Sequence, residues 1–430
     1  MNKKIMLPYG DKKICIKIPE KNLSWVVTPR ETICVRDEKE EIRRAIQNPI
    51  GTPSLFELVK KKGKKNIVLL VDDNTRSTPQ KKILPILLEE LNKAGVNDNC
   101  ITALIALGTH RKMKEWEIRE RFGDEVVNRI KFINHDAQNF ENLVKIENST
   151  LPYPVYVNYL FYKADISIGI GDIIPSAYAG WSGGAKIVQP GVCGEETTGE
   201  THIIAGESLD NNITIIGNLD NPVRKQINTI ARTSGFSMII NTILNNKDEI
   251  VKVVAGDFKL AHKEGVKFAK RIYCFNIAGQ QDIIIASSHP AGRDFWQSSK
   301  ALINCNMAVK DKGTFILLCP ALEGIASDHP DFVNLGICSS QEAKLQFKKG
   351  KIKDKIALAA YLAINVIRRR INVLIVSEGI NTDEASKIGL KIFNNIDDAL
   401  NIALKKKDKD TKIGIVTHGS NIMFKINKAK

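Results

Sequence analysis

Ile67-Val68-Leu69-Leu70-Val71-Asp72-Asp73-Asn74-Thr75-Arg76 decides the fold. Five apolar residues run without polar alternation and stop at two carboxylates. Such a run reads as a strand buried on both faces, the kind that fills a parallel sheet. The acidic turn then stands at the carboxyl end of the strand. The same grammar recurs downstream. Residues 101–107 lead into Gly108-Thr109-His110-Arg111, and 166–170 lead into Gly171-Asp172. Further apolar runs fall at 282–286, 314–319, 373–376 and 412–416, and residues 81–94 carry apolar positions at helical spacing. Strands alternating with helices predict α/β layering. In open sheets of this kind, ligands bind outside the carboxyl ends of the strands. Arg76, His110 and Asp172 are therefore expected to converge on one crevice. A new strand series begins near 270–280. The expected division is an N-terminal cofactor-binding α/β domain over 1–275 and a C-terminal α/β domain over 276–410, with 411–430 returning to the first.

Composition narrows the class. The 430 residues carry 63 Lys and Arg against 48 Asp and Glu, a formal net charge of +15. Hydrophobic residues make up 43% and charged residues 26%, ordinary globular usage that excludes a disordered chain or a collagen-like repeat. That length has room for two or three domains. The eight cysteines are scattered without a C-x-x-C pair, which argues for free thiols in a reducing compartment. Met1 to Gly10 lacks the apolar core of a secretory signal, and no apolar run is long enough to span a bilayer. A cytoplasmic protein without a membrane partner is expected. The lysines gather in short runs: Lys60 to Lys65 around Gly63, Lys348 to Lys351 around Gly350, and Lys405 to Lys407. Aromatics, at 6%, do not interleave with them, so solvated loop charge is expected rather than a nucleic-acid surface. The positive balance still favours small anionic ligands.

Gly180-Trp181-Ser182-Gly183-Gly184-Ala185-Lys186-Ile187 has the look of a phosphate loop, but that motif needs Gly before the Lys and Ser or Thr after it. Ala185 and Ile187 stand there instead, and Gly169-x-Gly171 lacks a third glycine at Ile174. What remains is a glycine-dense loop presenting one lysine. It is either a tight turn with Lys186 in solvent, or a close approach to a ligand in which Lys186 is an anion partner or a nucleophile. The seven histidines form no short metal pair. His110 stands out because it follows a strand and a glycine. His202 lies 16 residues past Lys186, after an acid-rich run, 195–201, that suits a helix start. One imidazole cannot hold a metal by itself, but it can complete a site whose other ligands come from a cofactor. Gln297 and Lys300, spaced i and i+3, share a helix face that suits a substrate carboxylate or hydroxyl, or simply faces water.

Four blocks together resemble the nickel-dependent lactate racemase family: Asp72 to Pro79, Leu107 to Arg111, Gly180 to His202, and Trp296 to Lys300. The resemblance implies two α/β domains with the active site in the crevice between them. It implies the nickel pincer nucleotide (nickel pyridinium-3,5-bisthiocarboxylic acid mononucleotide) as cofactor. Lys186 matches the lysine that tethers it, and His202 matches the protein ligand to nickel. Asp73, Thr75, Gly183 and Gly184 fall in segments that hold the nucleotide. Arg76, Gln297 and Lys300 match residues facing the substrate, and His110 matches a catalytic base. The implied activity is isomerisation of a small 2-hydroxy acid, by hydride abstraction and return at C2.

That chemistry is physically reasonable. The C2 proton beside an ionised carboxylate is very weakly acidic, and removing hydride avoids a dianion. A hydride acceptor, a base for the hydroxyl proton and cations for the carboxylate are then required. One departure stands out. The family places a second catalytic histidine before the glycine-rich loop, and here Ser176 occupies that position. Three outcomes are open: Tyr178 or His135 substitutes as base; the substrate is larger, such as a sugar acid; or the enzyme is impaired or one-directional. The favoured expectation is a racemase or epimerase of a 2-hydroxy acid other than lactate. The alternative is a non-catalytic homologue that binds the cofactor or an anionic metabolite.

Overall fold

The strand Ile67–Val71 is buried along its whole length, and two parallel neighbours flank it. These are Ile101–Ile105 on one side and Ile166–Asp172 on the other. A computed structural model describes residues 2–63, 66–147, 149–211, 213–405 and 410–426. Within them, a six-stranded sheet grows outward from Ile67–Val71 in both directions. Lys131–Asn134 extends one edge. Met238–Leu244 extends the other and ends on the antiparallel strand Ile250–Gly256. The chain first winds away from Ile67–Val71 through Ile101–Ile105, then returns to begin the other half beside it. The order therefore reverses between Ile67–Val71 and Ile166–Asp172, and connections leaving in opposite directions open a crevice there. Asp72, Asp73 and Asp172 stand at its mouth.

A second six-stranded sheet, parallel throughout, runs Lys391–Phe393, Asn372–Val376, Val309–Leu318, Gln281–Ser287, Ile413–Val416, Leu23–Val27. Its reversal falls between Gln281–Ser287 and Ile413–Val416. The segments leaving these two strands, 288–290 and 417–421, form the second crevice. The chain passes from the first unit to the second at Cys274–Ile277, a short strand paired in parallel with Met423–Ile426.

Two sheet memberships correct the expected domains. The run at 413–416 does not return to the first unit. It lies inside the second sheet, and the physical reason is visible at Gly414: a Cβ there would come within 2.5 Å of the Trp25 ring and 2.7 Å of Ile284. Only glycine lets Leu23–Val27 and Gln281–Ser287 close over that strand. The amino-terminal residues also belong with the second unit. The hairpin Asn2–Tyr9 and Lys12–Pro19 buries Ile5, Leu7, Ile16 and Ile18 against Ile283, Ile285 and Ile316.

Three helices close the space between the sheets: α1 (Glu195–Asp210), α2 (Phe295–Cys305) and α3 (Lys355–Arg370). The Asp294 carboxylate caps α2 by accepting the Gln297 N–H at 2.6 Å, and Asp354 caps α3 in the same way. Helices α1 and α3, from different units, pack so closely that a Cβ at Gly206 would lie 2.7 Å from the Ala359 carbonyl oxygen. The lysine runs sit at helix ends, where cations oppose the negative end of the helix dipole. Lys60 to Lys62 close Leu55–Lys62, Lys348 closes Ser340–Lys348, and Lys405 caps Ile396–Leu404. Lys64, Lys65, Lys406 and Lys407 lie outside the described residues. No described helix is long and apolar enough to cross a membrane.

Candidate active site

The two reversals face each other across one cavity of about 240 Å³. Its chemistry starts at Asp73. This carboxylate follows the strand Ile67–Val71 and is almost fully buried. One oxygen accepts the Thr75 N–H at 3.1 Å and the Thr75 hydroxyl at 2.6 Å. The other accepts Nδ1–H of His110 at 2.7 Å. His110 arrives from the next strand over a turn at Gly108, whose φ of 60° suits glycine. From the opposite unit, Gln297 on α2 donates its side-chain N–H to His110 Nε2 at 3.0 Å, and the Lys300 amine donates to the Gln297 carbonyl. Only one polarity satisfies this chain. Asp73 can only accept and Lys300 can only donate, which fixes the Gln297 amide and leaves the single lone pair of the His110 ring on Nε2. A carboxylate and an imidazole of one unit thus meet an amide and an amine of the other.

The charges around this chain are strongly coupled. Burial alone would raise the Asp73 carboxyl, but the His110 hydrogen bond, with Arg76 and Thr75 beside it, carries it below the usual carboxylate range. Burial lowers His110 below its ordinary 6.5, with Asp73 opposing. We take His110 as a neutral ring, because the lone pair on Nε2 already accepts a hydrogen bond. Lys300 is lowered well below 10.5 by burial and by the neighbouring charges of Arg76 and Lys186. Across the first reversal, Asp172 is pushed up to about 6 by burial and by Asp72, which itself holds Arg121 at 2.7 Å.

Lys186 rises from a short turn whose shape the glycines set. Gly180, Gly183 and Gly184 have φ of 81°, 70° and 60°, the left-handed region. The buried Arg224 guanidinium gathers the carbonyls of Ala179, Trp181 and Gly183, while the His262 ring holds the Ser182 carbonyl at 2.7 Å. Lys186 is therefore not the solvent-facing residue of a simple turn. It lines the cavity, and burial with Arg76 and Arg224 nearby pushes it down to about 7. An amine in that range is substantially unprotonated near neutral pH, as a nucleophile or a tether requires. On α1, His202 donates Nδ1–H to the Thr198 carbonyl at 2.8 Å and stacks on Tyr178 with ring centroids 4.0 Å apart. Its Nε2 keeps an available lone pair, and burial pushes the ring down to about 3. Among the described residues, no cluster of three or more His, Cys, Asp or Glu is placed to hold a metal. His202 can serve a metal only beside ligands from another molecule.

Asp73, Thr75, Arg76, His110, Gly183, Lys186, His202, Gln297 and Lys300 all line the cavity. Gly184 does not. It packs against His262, and its N–H donates to Asn241 at 2.8 Å, so it shapes the turn from behind. Neither proposed substitute base is well placed. His135 is buried away from the cavity, its ring nitrogens engaged by the Cys193 carbonyl and Asn158. Tyr178 lines the cavity, but its hydroxyl is hydrogen-bonded to Thr201 and burial raises it further. Ser176 lines the cavity and accepts the Ala179 N–H at 3.2 Å. Sequence reasoning missed Arg224, Asn241 and His262, which hold the lysine turn from separate elements. It also missed the capping role of Asp294; an Asp three residues before Gln297 at a helix start was the available signal.

Fold and site together define a two-domain α/β protein whose buried, hydrogen-bonded ionisable groups are assembled across the interdomain crevice. Residues 9–215 match the lactate racemase N-terminal domain, and 277–424 match the lactate racemase C-terminal domain. The chain belongs to the lactate racemase family, a family of isomerases. It is 28% identical over 439 residues to the lactate racemase of Thermoanaerobacterium thermosaccharolyticum, covering 98% of this chain and 99% of that protein. It is also 28% identical over 437 residues to the lactate racemase of Lactiplantibacillus plantarum, with the same coverage. The T. thermosaccharolyticum apoprotein structure superposes with a TM-score of 0.86 at 26% identity, over 98% of this chain and all of that one. A Thermotoga maritima protein shares the fold with a TM-score of 0.71 at 20% identity, over 90% of this chain and 98% of that one.

Proposed function

We propose that this chain is a nickel pincer nucleotide-dependent racemase or epimerase of a 2-hydroxy acid. One observation carries the proposal: the Lys186 amine and the His202 ring share a buried cavity with His110, Arg76, Gln297 and Lys300. These residues fit the group. The lowered Lys186 amine suits a covalent tether, and the His202 Nε2 suits a metal whose other ligands the nucleotide brings. Asp73, Thr75 and the Gly183 turn are at hand for the rest of the nucleotide. When bound, the group supplies an acceptor for hydrogen with its electron pair.

The chain's own residues do the remainder. Arg76 and Lys300 hold the substrate carboxylate, whose negative charge favours the protonated form of the Lys300 amine. The substrate hydroxyl displaces the Gln297 N–H from His110 Nε2 and gives its proton there, while Asp73 holds the ring and stabilises the imidazolium. The buried cavity keeps water from the planar keto acid while it turns. His110 then returns the proton to the C2 oxygen; with the group bound, hydrogen and its electron pair would be supplied to the other face of C2. Substrate and product are isomers, so nothing else is consumed. Ser176 is a poor base, and the imidazoles lining the cavity are His110 and His202. With His202 given to the metal, the second hydroxyl orientation thus has no imidazole of its own beyond His110 among the described residues.

The direct test is metal and stereochemistry together. Protein from a host that makes the nucleotide is expected to hold about one nickel per chain and to invert single enantiomers of a 2-hydroxy acid. Lys186→Ala should lose the tethered nucleotide, and His202→Ala should lose nickel. Full metal and full inversion in both variants would end the proposal. Ser176 favours a second reading, non-catalytic binding of the cofactor or an anionic metabolite. That reading requires ligand-dependent thermal stabilisation with no inversion of any acid.

A further inference from the structure

The mechanism leaves part of the cavity lining unused. Asn304 stands four residues past Lys300 on α2, a rise of about 6 Å along the helix axis. It lines the cavity, as does Asn421 from the segment that leaves the strand Ile413–Val416. Both residues are more than nine-tenths buried, with relative exposures of 2% and 9%. Neither side-chain oxygen finds a hydrogen-bond partner. The orientation of Asn304 is fixed, because its NH₂ donates to the Ser420 carbonyl at 2.8 Å. Its oxygen is thus left as an acceptor. Buried polar atoms are nearly always paired, so two orphaned acceptors on one cavity call for donors supplied by a ligand. Ala359, Ala360 and Ala363 of α3 also line the cavity and offer only methyl groups.

Resting on the function proposed above, we propose that the substrate is a polyhydroxylated 2-hydroxy acid, whose hydroxyls beyond C3 donate to Asn304 and Asn421 while its C–H face lies on the α3 alanines. A three-carbon acid has no hydroxyl beyond C3 to offer either asparagine. A longer plain alkyl acid leaves both oxygens unpaired, and sites built to pair a hydroxyl reject analogues that lack it.

The experiment uses the nucleotide-loaded enzyme and three probes: lactate, 2-hydroxyhexanoate and gluconate. Inversion at C2 is followed by chromatography, and binding to the full chain by calorimetry. The expected result is a kcat/KM for gluconate at least tenfold above that for 2-hydroxyhexanoate, with lactate lowest. In Asn304→Leu and, separately, Asn421→Leu, that selectivity should fall at least tenfold while nickel content stays at the parent level. Equal or better turnover of lactate or 2-hydroxyhexanoate overturns the substrate class and leaves the racemase reading standing. Loss of nickel in the leucine variants with selectivity intact also overturns it, because the asparagines would then be holding the ribose of the nucleotide. No inversion of any probe overturns both readings.

Discussion

The two chain reversals carry opposite chemistry. The first, after Ile67–Val71 and Ile166–Asp172, is crowded with ionisable groups: Asp72, Asp73, Arg76 and Asp172, with His110 beside them. The second, after Gln281–Ser287 and Ile413–Val416, turns Pro290, Ser420 and Asn421 to the cavity, none of which titrates, while its two histidines, His289 and His418, pack edge to face with ring centroids 4.9 Å apart and do not line it. The second unit's cation, Lys300, comes instead from α2. The same device, strands ending at a reversal, is used once to set proton affinities and once to set shape and hydrogen-bonding pattern. The first unit is thereby suited to reaction chemistry and the second to choosing what reacts.

If that division holds, the largest losses come from the first unit. Lys186→Ala or His202→Ala should reduce inversion to background, with nickel content read on the same samples. His110→Asn should retain nickel and lose about 10²–10⁴-fold in kcat, the usual worth of a positioned base. Asp73→Asn should cost about 10²–10³-fold, because the ring loses the partner that orients it. A comparable kcat loss from Lys300→Met would break the division. Its expected signature is a rise in KM of about 10- to 100-fold, from a lost charged hydrogen bond.

The pH profile sharpens the contrast. His110 must be neutral to accept the hydroxyl proton, and burial lowers it below 6.5. Activity is thus lost as pH falls through the lowered value, and the acid limb of kcat/KM should lie below pH 6.5. The Asp73 anion favours the imidazolium and raises that value. In Asp73→Asn the limb should therefore move to still lower pH, while the plateau drops. A limb above 6.5 in the parent enzyme would contradict a buried, neutral His110.

Much of the first reversal was legible in the chain. Unbroken apolar runs such as 67–71 need burial on both faces, and a polar residue just after such a run stands at a sheet edge whatever its partners. Arg76, His110 and Asp172 could be placed by that logic alone. The helix face carrying Gln297 and Lys300 followed from spacing, but its direction did not, since an amphipathic face can meet water or a cavity. Lys186 was ambiguous for the same reason. Its burial depends on Arg224, Asn241 and His262, which are brought to the turn by tertiary packing and have no local spacing to it. The second unit was the harder case. Leu23–Val27 and Ile413–Val416 lie at opposite ends of the chain and pair only through the sheet. Asn304 and Asn421 drew no notice, because an asparagine signals a site only when its side-chain oxygen is seen buried and unpaired.

The smallest effect tests that pairing. Gly414→Ala places a methyl within 2.5 Å of the Trp25 ring and 2.7 Å of Ile284. Overpacking of this kind costs about 1–3 kcal/mol, or roughly 2–4 °C of Tm per kcal/mol in a domain of this size. If Ile413–Val416 belongs to the second unit, faster amide exchange should be confined to its neighbours, Leu23–Val27 and Gln281–Ser287. The strand Ile67–Val71 should stay protected. Trimming the ring in Trp25→Leu should relieve much of the added cost of Gly414→Ala, because the two residues share one contact. Additive losses, or exchange spreading to Ile67–Val71, would mean that the two units do not respond separately. The division of labour between their reversals would then lack a structural basis.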